Sequence, residues 1–470
     1  MNTKKPTAKS QMPNASRYEL VIGLEVHVEL KTESKMFCGC SADYFGQEPN
    51  SHTCPVCLGL PGAIPVPNKK AIEWCIMIAQ ALNCRILNNS KFDRKNYFYP
   101  DLSKGYQISQ YDEPFGLGGY IEVYEEEGSR KLKKIGVTRV HMEEDTGKLT
   151  HADGASLIDF NRSGVPLVEI VTEPDFDSAY QVTQYLQKLQ QIVRYLRVSN
   201  ADMEKGNMRL EPNISLAVSD LGLGVSKKNQ APNAKRQLPP YKVEVKNINS
   251  FRFVAKAIET EEKRQAEILD RGETPAQETR GWNEAKNTTV SQRLKEEAND
   301  YRYFPEPDIP PIIITGNEIS NIKNQIPELP DAKQKRFESE YSLSAYDTEI
   351  LTREIDMADY FEQAVKDGSK HNITPKQIAN YIINKKVKTD ETVPAELIEL
   401  IKATLQTTEV DESELNKAIV EALTANPKAV EDYKSGKVQI IGFLIGKVRA
   451  QLPPGSSVTG LKEAIEEALK

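Results

Sequence analysis

The segment at residues 24–30, LEVHVEL, places the tightest constraint on what this 470-residue chain can fold into. A strand turns successive side chains to opposite faces, so Leu24, Val26, Val28 and Leu30 line one side while Glu25, His27 and Glu29 line the other. For a single strand, a solvated face is enough to explain the pattern. Here it recurs. VTRVHMEED (137–145) ends in three consecutive acids, and VPLVEIVTEPD (165–175) sets Glu169 in the middle of an apolar run, where a carboxylate needs a partner. MRLEPNISL (208–216) puts Arg209, Glu211, Asn213 and Ser215 on one face, and YKVEVKNIN (241–249) does the same with Lys242, Glu244 and Lys246. Five strands with acids, one imidazole and a few cations on a common side describe a polar, concave sheet. Oxygen donors with a single imidazole suit Mg²⁺, which also keeps water and substrate phosphates in its shell. The lysines and Arg209 are then placed to neutralise phosphate oxygens.

Cys38-x-Cys40 and Cys54-x-x-Cys57 are two ligand pairs of the spacing that closes a tetrahedral Zn²⁺ site, structural rather than catalytic because the protein fills all four positions. An unmetallated thiol cluster, or a site in which His52 replaces one cysteine, are the alternatives. Pro55, Gly59, Pro61 and Gly62 supply the tight turns of such a knuckle. Cys75 and Cys84 lie in AIEWCIMIAQALNC, where Ile72, Cys75, Ile76, Ala79 and Leu82 follow helical spacing, and both are expected to belong to a core. Six cysteines, four of them bunched, do not make a secreted disulfide framework, so a reducing cytoplasmic setting is expected. His141, His151 and His371 are expected to be structural or surface histidines.

The chain is strand-rich with a few helices from Tyr18 to about residue 300, and helical from about Pro330. Residues 394–404, 412–423 and 461–470 space apolar residues three and four apart. YFPEPDIPP (303–311) is a proline-dense hinge, and residues 407–411 mark a second boundary. Four parts are expected: a disordered lead-in (1–17), a strand-rich domain (18–310) with the knuckle at 38–57, a helical domain (311–407) and a small helical tail (408–470). With 39% hydrophobic and 27% charged residues the composition is that of a globular protein. The net charge of −7 gives no global basic field for nucleic acid. The run at 440–446 is far short of a membrane span, which needs ~20 residues. The N-terminal segment has no apolar core of a secretory signal.

Several familiar chemistries are absent. There is no G-x-x-x-x-G-K-[ST], GLGGY (116–120) breaks the Rossmann spacing, and no G-x-S-x-G elbow or cysteine nucleophile is present. FDRKNYFYPDLSKGYQISQY (92–111) instead interleaves Arg94, Lys95 and Lys104 with six aromatics, a composition that stacks and neutralises a nucleic-acid end, though half of those rings serve the core.

GLEVHVEL, KMFCGCSADYFG, EPNSHTCPVCLGLPGAIPVPNK, SKFDRKNYFYPDLSKGYQISQYDEP, RVHMEEDTGKLTH, DFNRSGVPLVEIVTEPD, VKNINSF and DYRYFPEPD occur in the order of the motifs of the aspartyl/glutamyl-tRNA amidotransferase B-subunit family, which the chain resembles from about Tyr18 onward. The resemblance implies an α+β fold: a cradle around an antiparallel sheet related to glutamine synthetase, then all-helical middle and tail (YqeY-like) domains. It implies that ATP phosphorylates the side-chain carboxylate of mischarged Glu-tRNA(Gln) and/or Asp-tRNA(Asn), and that ammonia then displaces phosphate. By position, the family's Mg²⁺ ligands and catalytic groups fall on Glu25, His27, Glu144 and Glu169, with Glu211 as a further ligand. Lys95, Lys104, Arg209 and Lys246 are the candidates for contacts to ATP phosphates or the tRNA acceptor end. The implied partners are an amidase A subunit that releases ammonia and a small C subunit, in a cytoplasmic heterotrimer. About 160 residues follow DYRYFPEPD without the large insertion of the archaeal relative, which favours the bacterial type. After GFLIG the chain departs from the family pattern, and its last 60 residues carry nine acids against eight bases, so charge does not mark the tail as an RNA surface. Two other readings exist. A stand-alone ligase of the glutamine-synthetase kind would not need the aromatic-basic stretch, and a zinc-knuckle RNA-binding protein would give Glu169 no reason to occupy an apolar strand.

Overall fold

The structure, a computed structural model, describes residues 18–152, 154–218, 238–294, 301–385, 387–405, 412–452 and 460–469. The expected lead-in at 1–17 lies outside them. The chain divides into two compact units, at Pro330.

Nine strands of the first unit form one sheet: β1 (Tyr18–Glu29), β2 (Arg85–Ile86), β3 (Gly116–Tyr124), β4 (Leu132–Glu144), β5 (Pro166–Thr172), β6 (Met208–Val218), β7 (Val243–Lys246), β8 (Glu278–Asn283) and β9 (Thr288–Leu294). Their order is β9-β8-β7-β6-β1-β5-β4-β3-β2, so the first strand of the chain lies at the centre. Neighbours are antiparallel except β7 with β8. A parallel pair needs a crossover, and helix α3 (Phe251–Asp270) provides it. Helices α1 (Lys69–Ala81) and α2 (Ala179–Tyr195) join α3 over the apolar face. Each helix starts at a side-chain cap: Asn68 Oδ1, Ser178 Oγ and Ser250 Oγ accept from amides of the first turn, worth about 1 kcal/mol apiece.

Leu24, Val26 and Val28 are buried in the helix-covered core with Ile76, Leu186, Leu189, Val254 and Ile258. Cys75 and Cys84 pack there too, Cys75 on α1 and Cys84 just beyond its end. By alternation the opposite face of β1 receives Glu25 and His27. The apolar burial that holds the sheet, about 1.5–3 kcal/mol per large aliphatic side chain, thus forces the acids together on the other side.

YFPEPDIPP does not act as a hinge. Phe304–Pro305 pairs with residues 93–94 and Ile312–Ile313 with residues 89–90. Buried Glu306 accepts a bidentate pair from Arg94, at 2.6 Å from Nε and 2.7 Å from Nη2. Ile314 and Ile322 join the first core, so this unit continues past the expected boundary at 310. Proline density signals irregular backbone, and here that backbone is a strap whose extended pieces find edge partners.

The second unit is entirely helical in its described residues. Pro330–Tyr341, Ile355–Gly368, Pro375–Lys385 and Pro394–Leu405 surround Phe337, Phe361, Ile378 and Ile398. Glu412–Ala425, Ile441–Arg449 and Leu461–Ala468 close over a separate core of Ile419, Leu444, Val448 and Ile465.

Candidate functional site

Register builds the site. His27 on β1 lies opposite Glu169 on β5 and Arg209 on β6, and Glu169 lies opposite His141 on β4. One pleat away Glu25 faces Glu211, and Asn213 faces Glu244 on β7. Because all these positions share the parity that faces away from the helices, two clusters form side by side. In the first, His27 Nε2 is 3.6 Å from Glu169 Oε2 and 3.9 Å from Glu143 Oε2. His141 Nε2 is 3.2 Å from Glu169 and 3.6 Å from Glu143. In the second, Glu25, Glu211 and Glu244 converge, with Lys246 Nζ at 2.9 Å from Glu211 and 3.1 Å from Glu244. In each cluster three ligand atoms, those of His27, Glu143 and Glu169 or of Glu25, Glu211 and Glu244, lie within 4.8 Å of one another.

Charge is concentrated and largely removed from solvent. Burial disfavours the His27 imidazolium, but the hydrogen bond with Glu169 and the charges of Glu169, Glu211 and Glu143 outweigh it and lift the ring to about 9. Burial likewise opposes the ammonium of Lys95, yet Glu143 and Glu169 keep it well above its ordinary value. Glu143 is held low against its own burial, chiefly by Lys95, whose Nζ is 3.5 Å away. Ser109 Oγ and Gln107 Nε2 also donate to Glu143, at 2.8 and 3.1 Å. These groups fit a divalent cation, which would satisfy several carboxylate lone pairs at once and take the imidazole as a neutral donor.

The sequence-derived residues fall into three groups. His27 and Glu169 meet in the first cluster, and Glu25 and Glu211 in the second. Glu144 does not join them. Its carboxylate receives Lys104 Nζ and the Ile108 amide, the latter at 2.9 Å, and Glu143 occupies the place expected for it. The reason is parity: on β4, residue 143 shares a face with His141 and residue 144 with Met142. Counting from His141 in VHMEED would have found it. His141, expected to be structural or on the surface, is buried between Glu143 and Glu169, and Glu244 completes the second cluster. Of the candidate cations, Lys95 and Lys104 reach Glu143 and Glu144, and Lys246 reaches the second cluster. Arg209 is held by Asp145 and lies 3.6 Å from Glu29. Glu29 also accepts from Asn207 at 2.8 Å and from Tyr44 at 3.0 Å, and burial beside Asp145 lifts it to about 8.

Beside Glu25 a cavity of 340 Å³ opens on the same face, lined in part by Gly23, Val171, Asn213, Pro240 and Tyr241. Asn213 donates from Nδ2 to Glu25 at 3.0 Å, while its buried Oδ1 has no partner. The aromatic-basic stretch forms a small sheet, Asp93–Asn96 with Tyr106–Ser109 and Phe304–Pro305, that carries Lys95 to the first cluster. Tyr301 packs over the Lys95 ammonium, and Tyr111 stacks on Tyr303 at 4.4 Å between centroids.

Cys38, Cys40, Cys54 and Cys57 form a third group, with all four sulfurs within 4.8 Å of one another. Cys54 and Cys57 Sγ are 3.9 Å apart, matching the edge of a tetrahedron with bonds of ~2.3 Å. The Cys57 thiol is lowered to about 5 by the Cys38 hydrogen bond, the Cys54 amide and the Lys35 ammonium, against its burial. Lys35 is itself fully buried, with Nζ 2.8 Å from the His52 carbonyl and 3.8 Å from Cys57 Sγ. The donor set fits a metal, with His52 contributing its carbonyl to Lys35.

The chain is similar to known proteins along most of its length. The family model described as the GatB/GatE catalytic domain matches residues 20–320, and the one described as the GatB domain matches residues 354–455. The B subunit of the aspartyl/glutamyl-tRNA(Asn/Gln) amidotransferase of Roseiflexus castenholzii is 44% identical, over 96% of this chain and 99% of that protein. The protein of the same name from a Thermoanaerobacter species is 45% identical, over 92% of this chain and 95% of its own, and that from Carboxydothermus hydrogenoformans is 42% identical, over 96% and 99%.

Proposed function

This chain belongs to the GatB family, and on that footing we propose that it carries out ATP-dependent amidation of mischarged Glu-tRNA(Gln) and/or Asp-tRNA(Asn). A side-chain carboxylate oxygen attacks the γ-phosphorus of ATP and ADP leaves. Ammonia then attacks the activated carbonyl carbon, phosphate departs with the former carboxylate oxygen, and the amide sheds a proton. The observation that carries this reading is the convergence of His27, Glu143 and Glu169, from three strands, beside Lys95. His27, Glu143 and Glu169 would hold one Mg²⁺, and Glu25, Glu211 and Glu244 a second. Magnesium bound there would supply Lewis-acid charge for phosphoryl transfer. Lys95 and Lys104 neutralise phosphate oxygens. The cavity beside Glu25 suits the nucleoside, with Asn213 Oδ1 accepting from an exocyclic amine. The cysteine group holds structural Zn²⁺. Ammonia comes from an amidase A subunit joined through a small C subunit, in the cytoplasm, and the tail contacts tRNA.

The test is the complete complex supplied with ammonium instead of glutamine. Wild type should form Gln-tRNA or Asn-tRNA with ATP turnover that depends on mischarged tRNA, whereas His27→Ala and Glu169→Gln should form neither. ATP turnover on free glutamate or aspartate without tRNA would replace this reading with a stand-alone ligase. Near wild-type product from either variant would remove the polar face from the chemistry.

A further inference from the structure

The cysteine group reaches the carboxylate face through one turn. Cys54 and Cys57 are wrapped by Leu58 N to Cys54 O at 3.0 Å, Gly59 N to Val56 O at 3.0 Å and Leu60 N to Pro55 O at 2.9 Å. That turn presents Gly59, at φ +65°, against Lys104: a Cβ there would lie 2.5 Å from Lys104 Cγ and 3.1 Å from its Cα. Only a glycine permits that approach. Ser103 Oγ donates to the Cys57 carbonyl at 2.8 Å, and Ser163 Oγ to the same oxygen at 3.2 Å. Lys104 then extends to Glu144, which also accepts the Ile108 amide and directly follows Glu143. Two residues therefore separate a sulfur ligand from a lysine at the edge of the candidate phosphate site.

The charge arrangement points to an occupied cysteine group. Lys35 is a fully buried ammonium among two carbonyls and Cys57 Sγ. A buried cation without a counter-charge is costly, and a tetrathiolate zinc centre carries a net negative charge that compensates it.

We propose that the zinc-loaded cysteine group sets the position of Lys104, with Ser103 and Gly59 as positioning residues for the ATP half-reaction. The proposal rests on the reading of Lys104 as a phosphate contact. In this arrangement metal binding fixes the Cys54–Cys57 turn, the turn fixes residues 103–104 through one hydrogen bond and one close backbone approach, and the Lys104 ammonium is delivered to Glu144, the residue that follows Glu143 on β4.

The experiment uses the whole complex with ammonium as donor and reads zinc content, thermal midpoint, and kcat and KM for ATP. Ser103→Ala should keep its zinc and its midpoint while the KM for ATP rises ~10-fold, the lower end of what outer-shell contacts contribute at metal sites. Ser103→Thr, which keeps the hydroxyl, should restore it. Cys54→Ser should lose zinc and show the same ATP defect, and combining it with Lys104→Met should add nothing beyond Lys104→Met alone. Wild-type ATP kinetics in Ser103→Ala, or full additivity of Cys54→Ser with Lys104→Met, would overturn the coupling. If Lys104→Met alone left the KM for ATP unchanged, the phosphate assignment would fall instead, and the proposal with it. Should Cys54→Ser not assemble, the Ser103 pair decides the matter.

Discussion

Of the three candidate metal centres among the described residues of the first unit, the cysteine group and the carboxylate-imidazole cluster are assembled in opposite ways. The sulfur centre draws its ligands from residues 38–57, a stretch short enough to close on itself. The carboxylate-imidazole centre draws on residues 27, 143 and 169, which meet only after three strands have paired in register. The first is a local knot whose donors are soft and alike. The second is a property of the whole sheet, with hard donors whose parity the apolar core enforces. Damage to the first should therefore act on structure and reach the chemistry only through Lys104, whereas damage to the second acts on chemistry directly.

The largest expected effect sharpens that contrast. His27→Ala or Glu169→Gln should lower ammonium-dependent amide formation by ~1,000-fold or more, equivalent to about 4 kcal/mol of barrier, while the circular-dichroism spectrum stays that of wild type. A stable variant that kept a tenth of its activity would break the comparison. Next comes a pair that tests parity alone: Glu143→Gln should cost ~100-fold, whereas Glu144→Gln, which acts only through Lys104, should cost ~10-fold, about 1.4 kcal/mol. The reverse ranking in single-turnover assays would return the ligand role to Glu144. Cys54→Ser should lower stability by about 2–4 kcal/mol in calorimetry of the zinc-containing protein, because structural metal contributes folding free energy directly. An unshifted transition would show that the sulfur group holds no metal. The smallest effect belongs to neither centre. Removing residues 411–470 should leave the KM for ATP unchanged and raise that for tRNA by ~3-fold, about 0.6 kcal/mol, since these helices own a separate core. An unchanged tRNA dependence would assign the tail another task.

How much of this was legible follows from the same contrast. Cys38, Cys40, Cys54 and Cys57 could be paired by spacing, because sequence distance limits spatial distance over so few residues. His27 and Glu169 were legible as anomalies, polar groups in apolar strands, and register then joined them. Which of the adjacent glutamates Glu143 and Glu144 shares the site's face is legible only by counting the phase of β4 from His141. His141 was missed because a lone histidine carries no periodic signal until its cross-strand neighbour is known. The strap at 303–313 was misjudged as a hinge for a related reason. Proline marks where regular hydrogen bonding stops, and says nothing of the Arg94–Glu306 pair that anchors such a segment elsewhere.

The central place of β1 has a consequence for how the molecule is made. During synthesis this strand leaves the ribosome first, yet its partners β5 and β6 begin about 140 and about 180 residues later. At ~5–20 residues per second, roughly 7 to 30 seconds pass before either edge can be satisfied. Throughout that interval an apolar, β-prone strand stands open on both sides, the configuration most apt to pair with a neighbouring nascent chain. Glu25, His27 and Glu29 interrupt it at every second position, which makes the charges reserved for the finished site also the gatekeepers of the unfinished chain. Neutralising all three together should raise the yield of insoluble protein in expression at 37 °C, separately from any loss of activity.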